Sequence, residues 1–153
     1  MDLYNRERQR FFAYLIRRGG DYQLACDVLQ ESFARLVAKY RPEQFSPQLL
    51  YRIGRNLLLD ALRKRKRHAS ALEDIELPVD DPEHDLMVRD EYRRVLAAMR
   101  NLADDERDLL SLVVSSDLNY RQIAEITGIS VANVKVKIHR ARKKLKTHLG
   151  AIP

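Results

Sequence analysis

The stretch NYRQIAEITGISVANVKVKIHRARKKLKTHL, residues 119–149, decides how the rest of the chain is read. Asn119 can cap a short helix, and Gln122 three residues on completes a capping box. Thr127-Gly128-Ile129 ends that helix in a turn, with Gly128 supplying a positive φ at no steric cost. Ser130 caps the next helix, and Ile129 and Val134 occupy the N′ and N4 positions of a hydrophobic staple. Beyond it, Val131, Val134, Ile138, Ala141, Leu145 and Leu149 recur in steps of three and four, the pattern of a buried stripe. Two helices joined by a tight glycine turn, the second strongly basic, spell a helix-turn-helix.

Opposite that stripe the second helix offers Ala132, Asn133, Val136, Lys137 and Arg140 on its first turns. A helix lying in the major groove presents its N-terminal residues to base edges in this way. Asn pairs bidentately with adenine, Lys and Arg pair with guanine, and an exposed valine suits a thymine methyl. Arg142, Lys143, Lys144 and Lys146 lie further along, where contacts to phosphate give affinity and salt dependence without sequence choice.

Charge organises what lies upstream. The 153 residues carry 28 Lys+Arg and 22 Asp+Glu, a net charge of +6, in blocks. Residues 52–67 hold seven bases and one acid, residues 73–85 seven acids and no base, and residues 135–153 seven bases and no acid. Half of all positive charge therefore sits in two blocks separated by ALEDIELPVDDPEHD, an acidic run with Pro78 and Pro82 and little helical periodicity. That run reads as a linker. The expected architecture is all-α: a small helical domain over 1–67, an acidic flexible linker over 68–81, and a second helical domain over 82–153 containing the helix-turn-helix.

In the second domain, Leu86, Tyr92, Val95, Leu96, Met99 and Leu102 mark one helix, and Asp104-Asp105-Glu106 place favourable negative charge at the start of the next. The first domain shows three helices. One runs from about Asp2 to Arg18 and stops at Gly19-Gly20. The second, about 21–40, carries Ala25, Val28, Leu29, Phe33, Leu36, Val37 and Tyr40 at helical spacing and ends before Pro42. The third starts with Ser46 as cap and Pro47 at its first position, places Leu50, Ile53, Leu57, Ala61 and Leu62 on one face, and ends in RKRKR, 63–67.

Two polar sets remain. Arg52, Arg55, Asn56, Arg63 and Lys64, with Phe45 and Tyr51 nearby, could hold a single strand by stacking and phosphate contacts. The same residues are equally compatible with buried aromatics and a solvated basic helix end. Asp27, Gln30, Glu31 and Arg35 on the second helix read either as surface pairs at i+4 spacing or as a protein-docking face.

Other classes are disfavoured. Cys26 stands alone, so no internal disulfide forms, and its position on an apolar stripe predicts a buried thiol. His68, His84, His139 and His148 lack ligand spacing, so no metal is expected. No cofactor is expected either. No apolar run reaches the ~18–20 residues of a membrane span, and MDLYNRERQRFF lacks the apolar core of a secretory signal, which predicts a cytoplasmic protein. There is no catalytic triad, phosphate-cradling loop or paired-carboxylate motif, so the chain does not read as an enzyme.

Taken in order, ACDVLQESFARL, LLYRIGRNLLLDALRKRKR, the acidic linker and NYRQIAEITGISVANVKVKIHRARKKL resemble a sigma factor of the sigma-70 family, of the short extracytoplasmic-function type with regions 2 and 4 only. The resemblance implies binding to core RNA polymerase, promoter recognition and transcription initiation. It assigns Asp27, Gln30 and Glu31 to docking on the clamp helices of the polymerase β′ subunit, and region 4 to the β-flap. Arg52, Arg55, Asn56, Asp60 and Arg63, with Phe45 and Lys64 beside them, fall where the family handles the minus-ten element. The loop at about Arg41–Gln48 would read an unstacked base. Ala132, Asn133, Val136, Lys137, Arg140, Lys143 and Lys144 fall on the family's minus-35 reader. An anti-sigma factor is an implied partner. The chain has no Trp, and Leu36-Val37 and Leu49-Leu50 stand where relatives often carry one. Val136 and Lys137 replace frequent Ser and Arg, which implies a minus-35 preference of its own. The few residues after His148 imply no regulatory C-terminal extension. Two other readings compete: a sigma mimic that occupies an anti-sigma factor, and a plain helix-turn-helix regulator.

Overall fold

Cap chemistry sets the helix boundaries. In the computed structural model, which describes residues 2–68 and 86–150 (the side chains of 68 and 86–92 excepted), α1 spans Asp2–Gly19, α2 Tyr22–Lys39 and α3 Pro47–His68. The second half contains α4 Leu86–Arg100, α5 Asp104–Ser115, α6 Tyr120–Thr127 and α7 Val131–Gly150. Gly20, at φ 72°, closes α1. The Asp21 carboxylate then accepts the Leu24 amide at 2.9 Å to open α2. Ser46 Oγ accepts from Leu49 at 3.1 Å, and Ser130 Oγ from Asn133 at 3.1 Å. Asn119 and Gln122 exchange both bonds of the expected box, at 2.8 and 2.9 Å, and Gly128 takes φ 77°. A short 3₁₀ turn, Pro42–Gln44, was not signalled by periodicity. Of the expected linker over 68–81, His68 instead closes α3, and 69–81 lie outside the described residues.

The first half is a three-helix unit around Phe11, Tyr14, Leu15, Leu36, Leu50, Tyr51 and Leu58, all fully buried. Each such side chain contributes roughly 1.5–3 kcal/mol by leaving water. Phe11 packs edge-on against Tyr51 with ring centroids 5.2 Å apart. It also lies so close to α3 that a Cβ on Gly54 would sit 2.2 Å from its Cζ, which is why glycine occupies that turn. The buried face of α3 is therefore Leu50, Tyr51, Gly54 and Leu58, rotated from the expected Ile53, Leu57, Ala61 and Leu62, which are only partly buried. Val37 and Val131, expected in the core, are 59% and 36% exposed. Cys26 is half-buried, a less enclosed thiol than its stripe suggested.

In the second half α7 packs on α4, α5 and α6. The two halves also meet: α5 lies along α1 and α6 against α3, and their apolar residues join in one cluster running from Leu3 through Leu58 to Leu109, Ile123 and Ile138.

Candidate nucleic-acid interface

Packing of α7 fixes which residues it can offer. Val134, Ile138 and Ala141 face inward, which turns Ala132, Asn133, Val136, Arg140, Lys143 and Lys144 to solvent. Arg140, Lys143 and Lys144 line an open depression with Thr147 and His148. Two cations of α7 are not free. Lys137, half-buried, donates to the Asp105 carboxylate, and Lys144 Nζ lies 2.8 Å from Glu106 Oε1. The Lys137 hydrogen bond holds the Asp105 carboxyl below its usual range. Glu106 also accepts the Ala103 amide at 3.2 Å, so the acidic start of α5 both caps that helix and neutralises part of the α7 face.

On α3, burial of Leu50, Gly54 and Leu58 leaves Arg52, Asn56, Asp60, Arg63 and Lys64 exposed along one side. Asp60 and Lys64 pair at 3.2 Å. Within the terminal basic run, Arg65 reaches back to Asp21 at 2.6 Å. Burial raises the Asp21 carboxyl, but the Leu24 amide and Arg65 outweigh it and bring the net position down. Phe45, half-buried, packs against the core at the mouth of the α3 start, while Tyr51 is wholly internal. On α2, Asp27, Gln30 and Glu31 are all exposed, with Gln23 bonded to Asp27 at 3.0 Å and Arg35 to Glu31 at 2.9 Å. Next to them Tyr4, Phe33, Ala34, Val37 and Ala38 form an apolar depression.

The seam between the halves holds a cluster of buried charge. Asp108 of α5, 3% exposed, accepts the Tyr14 hydroxyl at 2.8 Å and Arg55 Nε at 2.6 Å, with Arg18 Nε at 3.6 Å. Around it Arg107 Nε donates to the Arg17 carbonyl at 2.9 Å, Arg17 bonds Ser115 at 2.8 Å, and Arg10 pairs with Asp117. Burial, with Arg18 and Arg100 adding to it, pushes the Arg107 guanidinium down to about 10. Burial and then Asp108 push the Tyr14 phenol well up, so Tyr14 is a donor throughout the physiological range.

Residues 3–68 match sigma-70 region 2 and residues 92–145 match sigma-70 region 4. The chain belongs to the sigma-70 family. It is an RNA polymerase sigma factor of the extracytoplasmic-function type, acting in transcription initiation. The factor is 30% identical over 154 residues to the ECF RNA polymerase sigma factor SigM of Bacillus subtilis, covering 95% of this chain and 91% of SigM. It is also 30% identical over 140 residues to the ECF sigma factor EcfG of Rhodopseudomonas palustris, covering 90% of this chain and 77% of EcfG. Its fold matches the sigma factor RpoE of Bartonella quintana, solved with the anti-sigma factor NepR, at TM-score 0.80 and 21% identity over 99% of this chain and 96% of the other. It matches CnrH, solved with the cytosolic domain of CnrY, at 0.73 and 22% over 99% and 88%.

Helices α1–α3 of the sigma factor thus carry region 2, and most of α4–α7 carries region 4. The structure keeps the α2, α3 and α7 polar sets on three separate faces and withdraws one member of the α3 set, Arg55, into the seam. Tyr14, Arg18 and Asp108 were not singled out by the sequence, and Asp105 was marked only as favourable charge at a helix start. The only hint was an acid, Asp108, directly ahead of the apolar run LLSLVV. Among the described residues no helix is long and apolar enough to cross a membrane.

Proposed function

We propose that this sigma factor docks on core RNA polymerase through Asp27, Gln30 and Glu31, handles the minus-ten element with α3, and reads the minus-35 element with α7. The observation that carries this reading is that one chain exposes an acidic face on α2 and two basic faces, on α3 and α7, without sharing residues among them. Region 2 spans α1–α3 to His68 and region 4 begins near the start of α4, the residues between acting as tether. On α3, Arg52, Asn56, Arg63 and Lys64 hold a strand by its phosphates while Phe45 supplies a ring edge to an unstacked base. On α7, Asn133, Val136, Lys137 and Arg140 face base edges, with Ala132 allowing close approach to the groove floor. Lys143 and Lys144 bind phosphate and set salt dependence. The factor performs no covalent chemistry itself and works in the cytoplasm beside the polymerase. An anti-sigma factor is a partner, as NepR is for the RpoE that this fold resembles.

The test is run-off transcription from a genomic fragment library by purified core polymerase, with and without the factor. New promoter-specific transcripts are expected, and their start sites deliver both DNA elements. Polymerase that neither binds the factor nor gains transcripts would overturn the reading in favour of a mimic that only occupies an anti-sigma factor.

A further inference from the structure

The basic run 63–67 gives Arg63 and Lys64 to the strand-holding set and leaves Arg65, Lys66 and Arg67 without a role. Helical phase separates Arg65 from its neighbours. The inward stripe of α3 runs through Tyr51, Gly54, Leu58, Ala61 and Leu62 in steps of one to four, and the next position on that side is Arg65. Leu58 is fully enclosed, Ala61 and Leu62 are partly buried, and Arg65 is partly buried with them. An arginine thus stands where the stripe calls for an apolar side chain. There it meets Asp21, Nη1 to Oδ2 at 2.6 Å, while Oδ1 of the same carboxylate caps α2 through the Leu24 amide at 2.9 Å. The turn that carries Asp21 is itself set close against α3, since a Cβ on Gly19 would sit 3.1 Å from Leu58 Cδ1.

The outward stripe is the complement. Arg52, Asn56, Arg63 and Arg67 are all exposed and follow in steps of four, seven and four. At 3.6 residues per turn those steps keep the four within about 60° of one another, opposite Arg65. Asp60 and Lys64 pair alongside at 3.2 Å. A face that reaches Arg67 is about 22 Å long, against about 17 Å for one that ends at Arg63. Its far end is under electrostatic stress: Arg63 and Arg67, one turn apart, are a like-charge pair that opposes the helix. A tie from the inward side counters that repulsion.

We infer that Asp21 is a positioning residue for promoter DNA: by holding Arg65 in the place of a core side chain, it keeps the last turn of α3 wound and adds Arg67 to the strand-binding face. The DNA role of Arg67 rests on the α3 reading above. One carboxylate thereby fixes both the start of the polymerase-docking helix and the end of the strand-binding one. The effect runs against simple charge accounting. Removing an acid beside five successive cations would by charge alone tighten DNA binding, whereas loss of position weakens it.

The test titrates the full chain into a fluorescein-labelled single-stranded 20-mer of mixed sequence, by anisotropy from 50 to 200 mM KCl. Asp21→Ser keeps an oxygen to cap α2 and removes the pair. It is expected to weaken binding roughly 3-fold and to lower the slope of log K against log salt by about 0.7, one phosphate contact on a single strand. Arg67→Ala should do the same, and the two changes together should cost little more than either. Adding Arg65→Leu, which completes the apolar stripe, should bring Asp21→Ser back to the wild-type slope; removing a further cation could not do so by charge alone. Unchanged or tighter binding by Asp21→Ser at wild-type helicity, beside a weakened Arg52→Ala, would overturn the inference and leave the α3 reading in place. A loss in Asp21→Ser with none in Arg67→Ala would overturn it as well. Arg52→Ala without effect would take down the α3 reading and the inference together. Should Asp21→Ser lose helicity, Arg65→Ala and Arg65→Leu are compared instead. Their charge is the same, so roughly 3-fold tighter binding by Arg65→Leu is expected, and equal binding would refute the positioning role.

Discussion

Asp105 offers a way to measure what the acidic start of α5 costs the minus-35 reader. Its carboxylate holds Lys137, and the two side chains are 53% and 34% exposed. A pair at that exposure is worth about 0.2–1 kcal/mol, because solvent screens it and two side chains are immobilised. DNA must break the pair before Lys137 can reach a base or phosphate, so Asp105→Ala should tighten binding to the minus-35 duplex by roughly 1.4- to 5-fold, the same energy expressed as a ratio. If the freed ammonium lands on phosphate, one more counterion is released and the slope of log K against log salt steepens by about 0.9. The assay is fluorescence anisotropy of the labelled duplex from 50 to 200 mM KCl, run as a cycle with Lys137→Ala and the double variant. Asp105→Ala should have almost no effect once Lys137 is gone. Equal effects in both backgrounds would show that Asp105 acts on DNA independently of Lys137. Unchanged affinity and slope would refute the coupling altogether.

Other outcomes are equally definite. Arg140→Ala should lose roughly 1–3 kcal/mol of minus-35 affinity and relax selectivity at one base pair, measured by competition among single-base variants. Asp27→Ala with Glu31→Ala should weaken core polymerase binding in a pull-down titration at unchanged helicity, since both side chains project from the surface. Gly54→Ala drives a methyl into the Phe11 ring and should cost about 1–3 kcal/mol in urea unfolding. Asp21→Ala removes the α2 cap and the Arg65 pair and should cost about 0.5–2 kcal/mol at neutral pH. The Asp21 carboxyl sits below its ordinary 3.8, so its contribution is complete above that value and fades as pH falls through the lower folded one. The gap between wild type and Asp21→Ala should therefore narrow in unfolding curves taken below about pH 4.

Where the sequence was legible, the signal was local. Ser46, Asn119 with Gln122, Gly128 and Ser130 each act on atoms two to four residues away, and each does so in the structure. The α3 face was misplaced because its apolar residues nearly encircle the helix, and Gly54, which has no side chain to count, marks the true contact with Phe11. Val37 reads as core by spacing but lies 59% exposed in the apolar depression it shares with Tyr4 and Phe33. The seam was invisible for a different reason. Tyr14 and Asp108 are 94 positions apart and Arg55 and Asp108 53, and no periodicity links residues so distant. Lys137 and Asp105, 32 apart, escaped in the same way.

The Asp108 cluster also bears on how this protein can be re-engineered. Joining region 2 of one sigma factor to region 4 of another is an obvious route to new promoter specificity, because the recognition surfaces lie on separate faces. Here the acid is supplied by one half and its three partners by the other. A chimera that brings in a second half with an apolar residue at position 108 would press Arg18 and Arg55 against a surface that offers them no counter-charge. Its halves would lose the charge pairing that joins them at the seam. Carrying the acid across with the graft, or replacing Arg18 and Arg55 together with it, keeps the exchange confined to what the factor reads.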